Sequence, residues 1–369
     1  MRIQSIVALA LVAAVASPAV AQDAAVTAPV RHVISIGNYP NVAGLRMNFR
    51  DRGLQQVHGA NVTIWTPYDD EPQGTVRGFA VGLPMTGAGN IHGVTAALFG
   101  AGATHDLTGI SIGGIGVGAG GRMKGIAIGG VGVGGGGSIE GFALGGVGAG
   151  VGGNARGILI GGIGAGVGGN IQGIAFGGVG VGAGGNARGL IAGVIGAGVG
   201  GNINGIALGG VGVGAGGNAH GMIGGLIGAG VGGDLTGIGF GGVGLGAGGN
   251  IRGIALAGVG IGAGQSIDGV AIALGAIGSP TIRKFAMASV VGARHMDGLM
   301  VAGVSKLDQG GDMRGVSVAG VNDFRGSQKG LAIGLVNYAR ELDGMQIGVI
   351  NVARNASVKF LPIVNYHRK

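Results

Sequence analysis

Residues 205–220 read GIALGGVGVGAGGNAH, and the reading of this stretch decides the fold. The same spacing recurs along the chain. Glycines at 93, 109, 125, 141, 157, 173, 189, 205, 221, 237 and 253 each open a sixteen-residue unit, and Gly269 opens the next. Counted from the opening glycine, large apolar residues stand at positions 2 and 4 (Ile206, Leu208) and then at 7 and 9 (Val211, Val213). Alternation with period two is a strand signal. The change of parity falls on Gly209-Gly210, where a bend or bulge costs little. Gly216-Gly217-Asn218 closes the unit as a turn.

A helix is excluded by arithmetic. Seven of the sixteen residues from Gly173 to Arg188 are glycine, and each costs a helix interior roughly 1 kcal/mol relative to alanine. Polar residues recur in every unit, so apolar runs stop near thirteen residues, short of the ~20 that a membrane helix needs. Two short strands and two corners fit the unit. The fold class expected is therefore all-β, a glycine-rich β-solenoid of ~16-residue coils stacked in parallel. Positions 2, 4, 7 and 9 are expected to fill its interior. Asn154, Asn170, Asn186, Asn202, Asn218, Asp234 and Asn250 share position 14 and are expected to line one corner as a column of turn residues.

A second period of thirty-two residues overlies the first. Val181/Ala183 and Val213/Ala215 occupy positions 9 and 11 in alternate units, and Ala197/Val199 and Ala229/Val231 reverse the order between them. Large beside small keeps the volume of a packed layer constant. Up and down strands of a meander would show the same alternation, so a closed β-barrel of short hairpins is the alternative fold. The apolar residues change face mid-unit, however, and residues 93–278 hold four aromatics, Phe99, Phe142, Phe176 and Phe240, too few for two interfacial girdles.

Outward from the regular block the pattern loosens. Units at Gly44, Gly59 and Gly78 precede it, and units at Gly298, Gly315, Gly330 and Gly344 follow it. Irregular terminal units cap the open ends of a stacked array. The chain divides into a leader at 1–21, a linker at 22–43, irregular N-terminal units at 44–92, the regular repeats at 93–278 and divergent basic units at 279–369. The leader has Arg2, an apolar run from Ile6 to Ala16 and the small-residue site Ala19-Val20-Ala21. This is the pattern of a secretory signal peptide cleaved after Ala21, so the protein is expected to be exported to the periplasm, outer membrane or cell surface. With no cysteine, the chain can carry neither a lipoprotein anchor nor disulfides.

The C-terminal units GLAIGLVNYARELD, from Gly330, and GMQIGVINVARNAS, from Gly344, carry a G-h-x-h-G-h-h-N pattern in which h is apolar. With FLPIVNYH from Phe360 to His367, they resemble an uncharacterised family of bacterial surface repeat proteins. The match covers residues 298–367; Asn337 and Asn351 fall on its asparagine and Gly334 and Gly348 on its second glycine. The resemblance implies a cell-surface or envelope setting and no particular activity.

The ninety-six glycines make chance GxGxxG strings common, and none lies in the strand-to-helix context that a phosphate loop requires. The seven histidines show no metal-ligand spacing, and no serine stands in a nucleophile elbow. No cofactor, metal or catalytic residue is expected, and the chain is read as a non-enzyme. The loop Trp65, Tyr68, Asp69, Asp70 and Glu71 breaks the period and joins an aromatic pair to the acidic cluster, as a carbohydrate or cation site would. The formal charge is +8, and residues 279–369 hold twelve basic against six acidic groups. Arg340, Arg354, Lys359, Arg368 and Lys369 are therefore candidate contacts for anionic envelope lipid or polysaccharide, without specific nucleic-acid recognition. The function expected is a structural or adhesive envelope protein, with an outer-membrane barrel or pore as the alternative.

Overall fold

A computed structural model describes residues 33–69 and 71–368 of the chain. The leader at 1–21, most of the linker, Asp70 and Lys369 lie outside the described residues. The chain divides into two compact units, Met1–Gly168 and Gly169–Lys369. Each is a parallel β-solenoid, with no helix among the described residues. A barrel is ruled out by the pairing. Equivalent strands sixteen residues apart pair in parallel and in register, as Ile203 does with Ala187 on one side and Ala219 on the other.

One coil of the second unit shows how the repeat folds. A long strand, Ile203–Gly209, runs from position 15 of one repeat to position 5 of the next. A short strand, Gly212–Ala215, follows the bend at Gly210-Val211. The long strand turns at the opening glycine, which has positive φ throughout the regular block, from +113° at Gly157 to +147° at Gly269. An L side chain is strained there. It would also have no room, because a Cβ on Gly205 would sit 2.2 Å from the Gly189 carbonyl oxygen of the coil below. One residue departs from this column. Lys284 pairs with Gly269 and holds φ +79° without being glycine.

The interior differs from the expectation. Ile203, Ala207, Val213 and Ala215 are buried, at positions 15, 3, 9 and 11. Of the four expected positions only position 9 points inward; Ile206, Leu208 and Val211, at 2, 4 and 7, stand outside and are 42%, 38% and 46% exposed. The backbone explains the inversion. Positions 15, 1, 3 and 5 share the inward parity, and two of them need glycine. At position 1 the neighbouring coil leaves no space, and at position 5 a Cβ on Gly209 would run into the Gly212 carbonyl across the bend. The inner columns hold mostly alanine and branched aliphatics, with Met123 at position 15 and Thr95 and Ser111 at position 3 in the first unit.

The thirty-two-residue period is a packing device that spans all four inner columns. The coil of Gly205 buries Ile203, Ala207, Val213 and Ala215, whereas its neighbour buries Ala219, Ile223, Ala229 and Val231. From the coil of Gly157 to that of Gly237 every large group thus lies beside a small one in the next coil, whereas further on Leu235 stacks on Ile251 and Leu245 on Ile261. Where the rule bends it is compensated. Gly239 replaces the alanine or isoleucine of position 3, and Leu245 replaces the valine or alanine of position 9. A Cβ on Gly239 would meet both Leu235 and Leu245.

In each unit the irregular coils turn polar inside. In the first unit, Arg46 occupies the inner column at full burial. It donates to Asp51 Oδ1 at 2.6 Å, to Asn61 Oδ1 at 2.8 Å and to the Tyr39 carbonyl at 2.8 Å. In the second unit, Asn322, Asn337 and Asn351 form a buried ladder, each carboxamide donating to the next at 2.7 Å. The last strand, Phe360–His367, pairs antiparallel with Val336–Ala353 and ends the stack, with Pro362 on it. A proline on a terminal strand discourages further pairing.

Candidate functional site

The position-14 residues form a hydrogen-bonded column within the second unit. The Asn186 N–H donates to Asn170 Oδ1 at 2.7 Å, Asn202 to Asn186 at 2.8 Å, and Asn218 to Asn202 at 2.7 Å. Asp234 then donates to Asn218, and Asn250 to Asp234, both at 2.7 Å. Asn154 holds the same position in the first unit. Each side-chain oxygen is thus taken by the backbone of the next coil, and the column stitches one corner. The Asn250 backbone N–H holds the Asp234 carboxyl below its usual range. The Arg122 backbone N–H does the same to Asp106 in the first unit.

The interrupted loop lies over the first unit. Its Tyr68 N–H donates to the Asp51 carbonyl at 2.7 Å, and the guanidinium groups of Arg50 and Arg52 stand 5.0 and 4.9 Å from the Tyr68 ring. Arg50 also donates to the carbonyls of Thr66 and Pro67, and Thr104 Oγ1 to that of Pro72. An open groove of about 1040 Å³ runs beneath. Tyr68, Asp69 and Glu71 line one wall, and Met85, Phe99, Ile115 and the glycine-rich short strands form the floor. Trp65 is not part of it; the residue is half exposed, and its backbone N–H donates to the Phe49 carbonyl. Asp70 lies outside the described residues. The loop is held by buried groups that the sequence did not flag, Arg46 and Asp51, because a lone arginine in an irregular unit reads as a surface charge. Among the described residues, no three His, Asp or Glu side chains come close enough to hold a metal ion.

At the C-terminal end, Arg340, Arg354, Lys359 and Arg368 are exposed. The Arg354 N–H donates to the Ala339 carbonyl at 3.1 Å, which sets Arg340 and Arg354 about one strand spacing apart. Lys369 lies outside the described residues.

The second unit carries an apolar surface at positions that the spacing predicts to lie inside. In the second unit, Ile174, Phe176, Ile206, Leu208, Met222, Ile238, Phe240 and Ile254 all stand more than a third exposed on the outer side of the long strands. At the bend beside them, Val194 and Leu226 are 60% and 69% exposed. The face is uneven. Along position 4 the order is Phe176, Ala192, Leu208, Gly224, Phe240. A notch of about 350 Å³ opens at the two small residues, walled by both phenylalanines, Leu208, Met222, Val194 and Leu226.

No family model, curated protein or solved structure matches the chain. The class its fold defines is that of parallel β-solenoid repeat proteins.

Proposed function

We propose that this is an exported structural or adhesive protein of the cell envelope, in which the surface of the solenoid is the working part and no catalytic centre operates. The observation that carries this reading is the outward ladder of isoleucine, leucine, phenylalanine and valine. Soluble monomers rarely expose contiguous apolar patches beyond a few hundred Å². Here eighteen large apolar side chains between Ile174 and Leu274 are each more than a third exposed. At roughly 80 Å² apiece they make a field on the order of 1,400 Å², the scale of an interaction surface. A second support is the charge of the C-terminal coils, which suits attraction to anionic lipid or polysaccharide of the envelope.

Fractionation of cells producing the full chain tests the reading. Recovery of a leader-cleaved protein with the envelope or at the cell surface supports it. A full-length protein found only in the cytosol overturns it.

A further inference from the structure

We propose that the apolar face of the second unit binds a second copy of this chain, face to face and with the order of coils reversed. The inference rests on the reading of that face as adhesive and names its occupant. Area is the first argument. Ten of the exposed apolar side chains stand at positions 2, 4 and 6 from Ile174 to Ile254, and at roughly 80 Å² apiece they offer about 800 Å², the ~800 Å² per partner that a standard interface buries.

Shape is the second argument. A two-fold axis parallel to the strands, lying between the coils of Gly205 and Gly221, reverses the order of coils and leaves each position facing its own kind. Leu208 then faces the partner's Gly224, and Phe240 faces the partner's Ala192. At the bend, Leu226 faces the partner's Gly210, and Val194 faces the partner's Gly242. Leu208, Phe240, Val194 and Leu226 each meet a glycine or alanine, Phe176 meets the partner's Leu256 at the outer end of the paired stretch, and the relation is reciprocal, as an isologous contact requires. Position 2 brings Ile206 onto the partner's Met222 and Ile174 onto the partner's Ile254, all of them exposed in the single chain. No ionisable group stands at positions 2, 4 or 6 of these coils; the exposed Arg188, His220 and Arg252 lie at position 16, at the start of the long strands, where the axis sets them against the partner's Thr236, the partner's Asn204 and the partner's Gln172 rather than against a like charge. The alternation of large and small that packs the interior is therefore repeated on the outside, where the chain's own fold does not need it. A Cβ on Gly224 would lie 3.4 Å from Leu208 Cδ2, an ordinary contact. The notch is thus not demanded by crowding within the coil.

The test uses the full mature chain in sedimentation equilibrium over nanomolar to micromolar concentrations. A dimer is expected, with its dissociation constant raised at least a hundredfold in Leu226→Ser/Phe240→Ser. Both side chains are exposed, so the thermal melt of the single chain should hold. Orientation is read from the cysteine-free background. Ile174→Cys mixed with Ile254→Cys should join through a short bis-maleimide, whereas Ile174→Cys alone should not. A monomer at all concentrations, a dimer indifferent to the double serine variant, or cross-linking of Ile174→Cys to itself overturns the proposal. Partition of the wild-type chain into neutral phosphatidylcholine vesicles in place of self-association also overturns it and assigns the face to lipid. A monomer found at the envelope sinks the pairing alone, and a dimer confined to the cytosol sinks the functional reading alone.

Discussion

Two glycine-to-alanine substitutions nine residues apart in one coil should have opposite signs. At Gly205 the new Cβ would be placed 2.2 Å from the Gly189 carbonyl oxygen, about 1 Å inside van der Waals contact, with φ at +133°. The carbonyl cannot retreat, because its coil is held in register on both sides. The backbone conformation alone costs an L residue roughly 1–2 kcal/mol, and overpacking against a fixed group adds about 1–3 kcal/mol. Gly205→Ala should therefore destabilise by about 3 kcal/mol or more. At Gly214, on the outer side of the short strand, a Cβ meets nothing within 4 Å and φ is not positive. Alanine there restricts the unfolded chain and should stabilise by about 0.5–1 kcal/mol. Gly166, Gly182, Gly198 and Gly246 are equally open, so replacing them together should raise the urea midpoint further. The assay is urea unfolding followed by far-ultraviolet circular dichroism. Equal losses at Gly205 and Gly214 would refute the argument that crowding by the coil below selects one glycine and not the other.

Lys284→Gly relieves a positive φ, worth about 1–3 kcal/mol, against the loss of an ion pair from an exposed lysine to the buried Asp268 Oδ1, so a small net gain in melting temperature is expected and a lower one would count against strain at this position. Arg46→Ala leaves Asp51 buried without its cation and should cost about 3–5 kcal/mol, with proteolysis expected first in the loop around Tyr68. The Asp234 carboxyl is more acidic when folded than unfolded. Its stabilising contribution is therefore present above the ordinary carboxylate value and is lost as pH falls through the lower, folded one. Asp234→Asn should flatten the acid limb of the stability curve, and an unchanged limb would argue against the backbone contact from Asn250. Partial desolvation and, second, the charge of Arg77 lower the pKa of His58. Stability should decline as pH falls below about 6.5, and His58→Gln should remove that decline.

Period and composition determined most of the architecture. A strict sixteen-residue spacing with two-residue alternation admits strands and corners, and it brings position 14 into one column whenever coils stack in register. The ladder from Asn170 to Asn250 follows from spacing alone, as does the pairing of Val213 with Ala197. Which face is inside was a different matter. Alternation with period two is unchanged when the two faces are exchanged, and here both carry aliphatic residues. Only the assembled backbone decides: carbonyls of the bend and of the neighbouring coil crowd the inward side of positions 1 and 5, so Ala207 is buried and Leu208 is left outside. The buried Arg46 and the loop groove likewise depend on contacts between coils of irregular length, which no local pattern encodes. The sequence thus determined the repeat, and the tertiary structure decided which side of it faces the world, because space between coils, rather than hydrophobicity, selects the core.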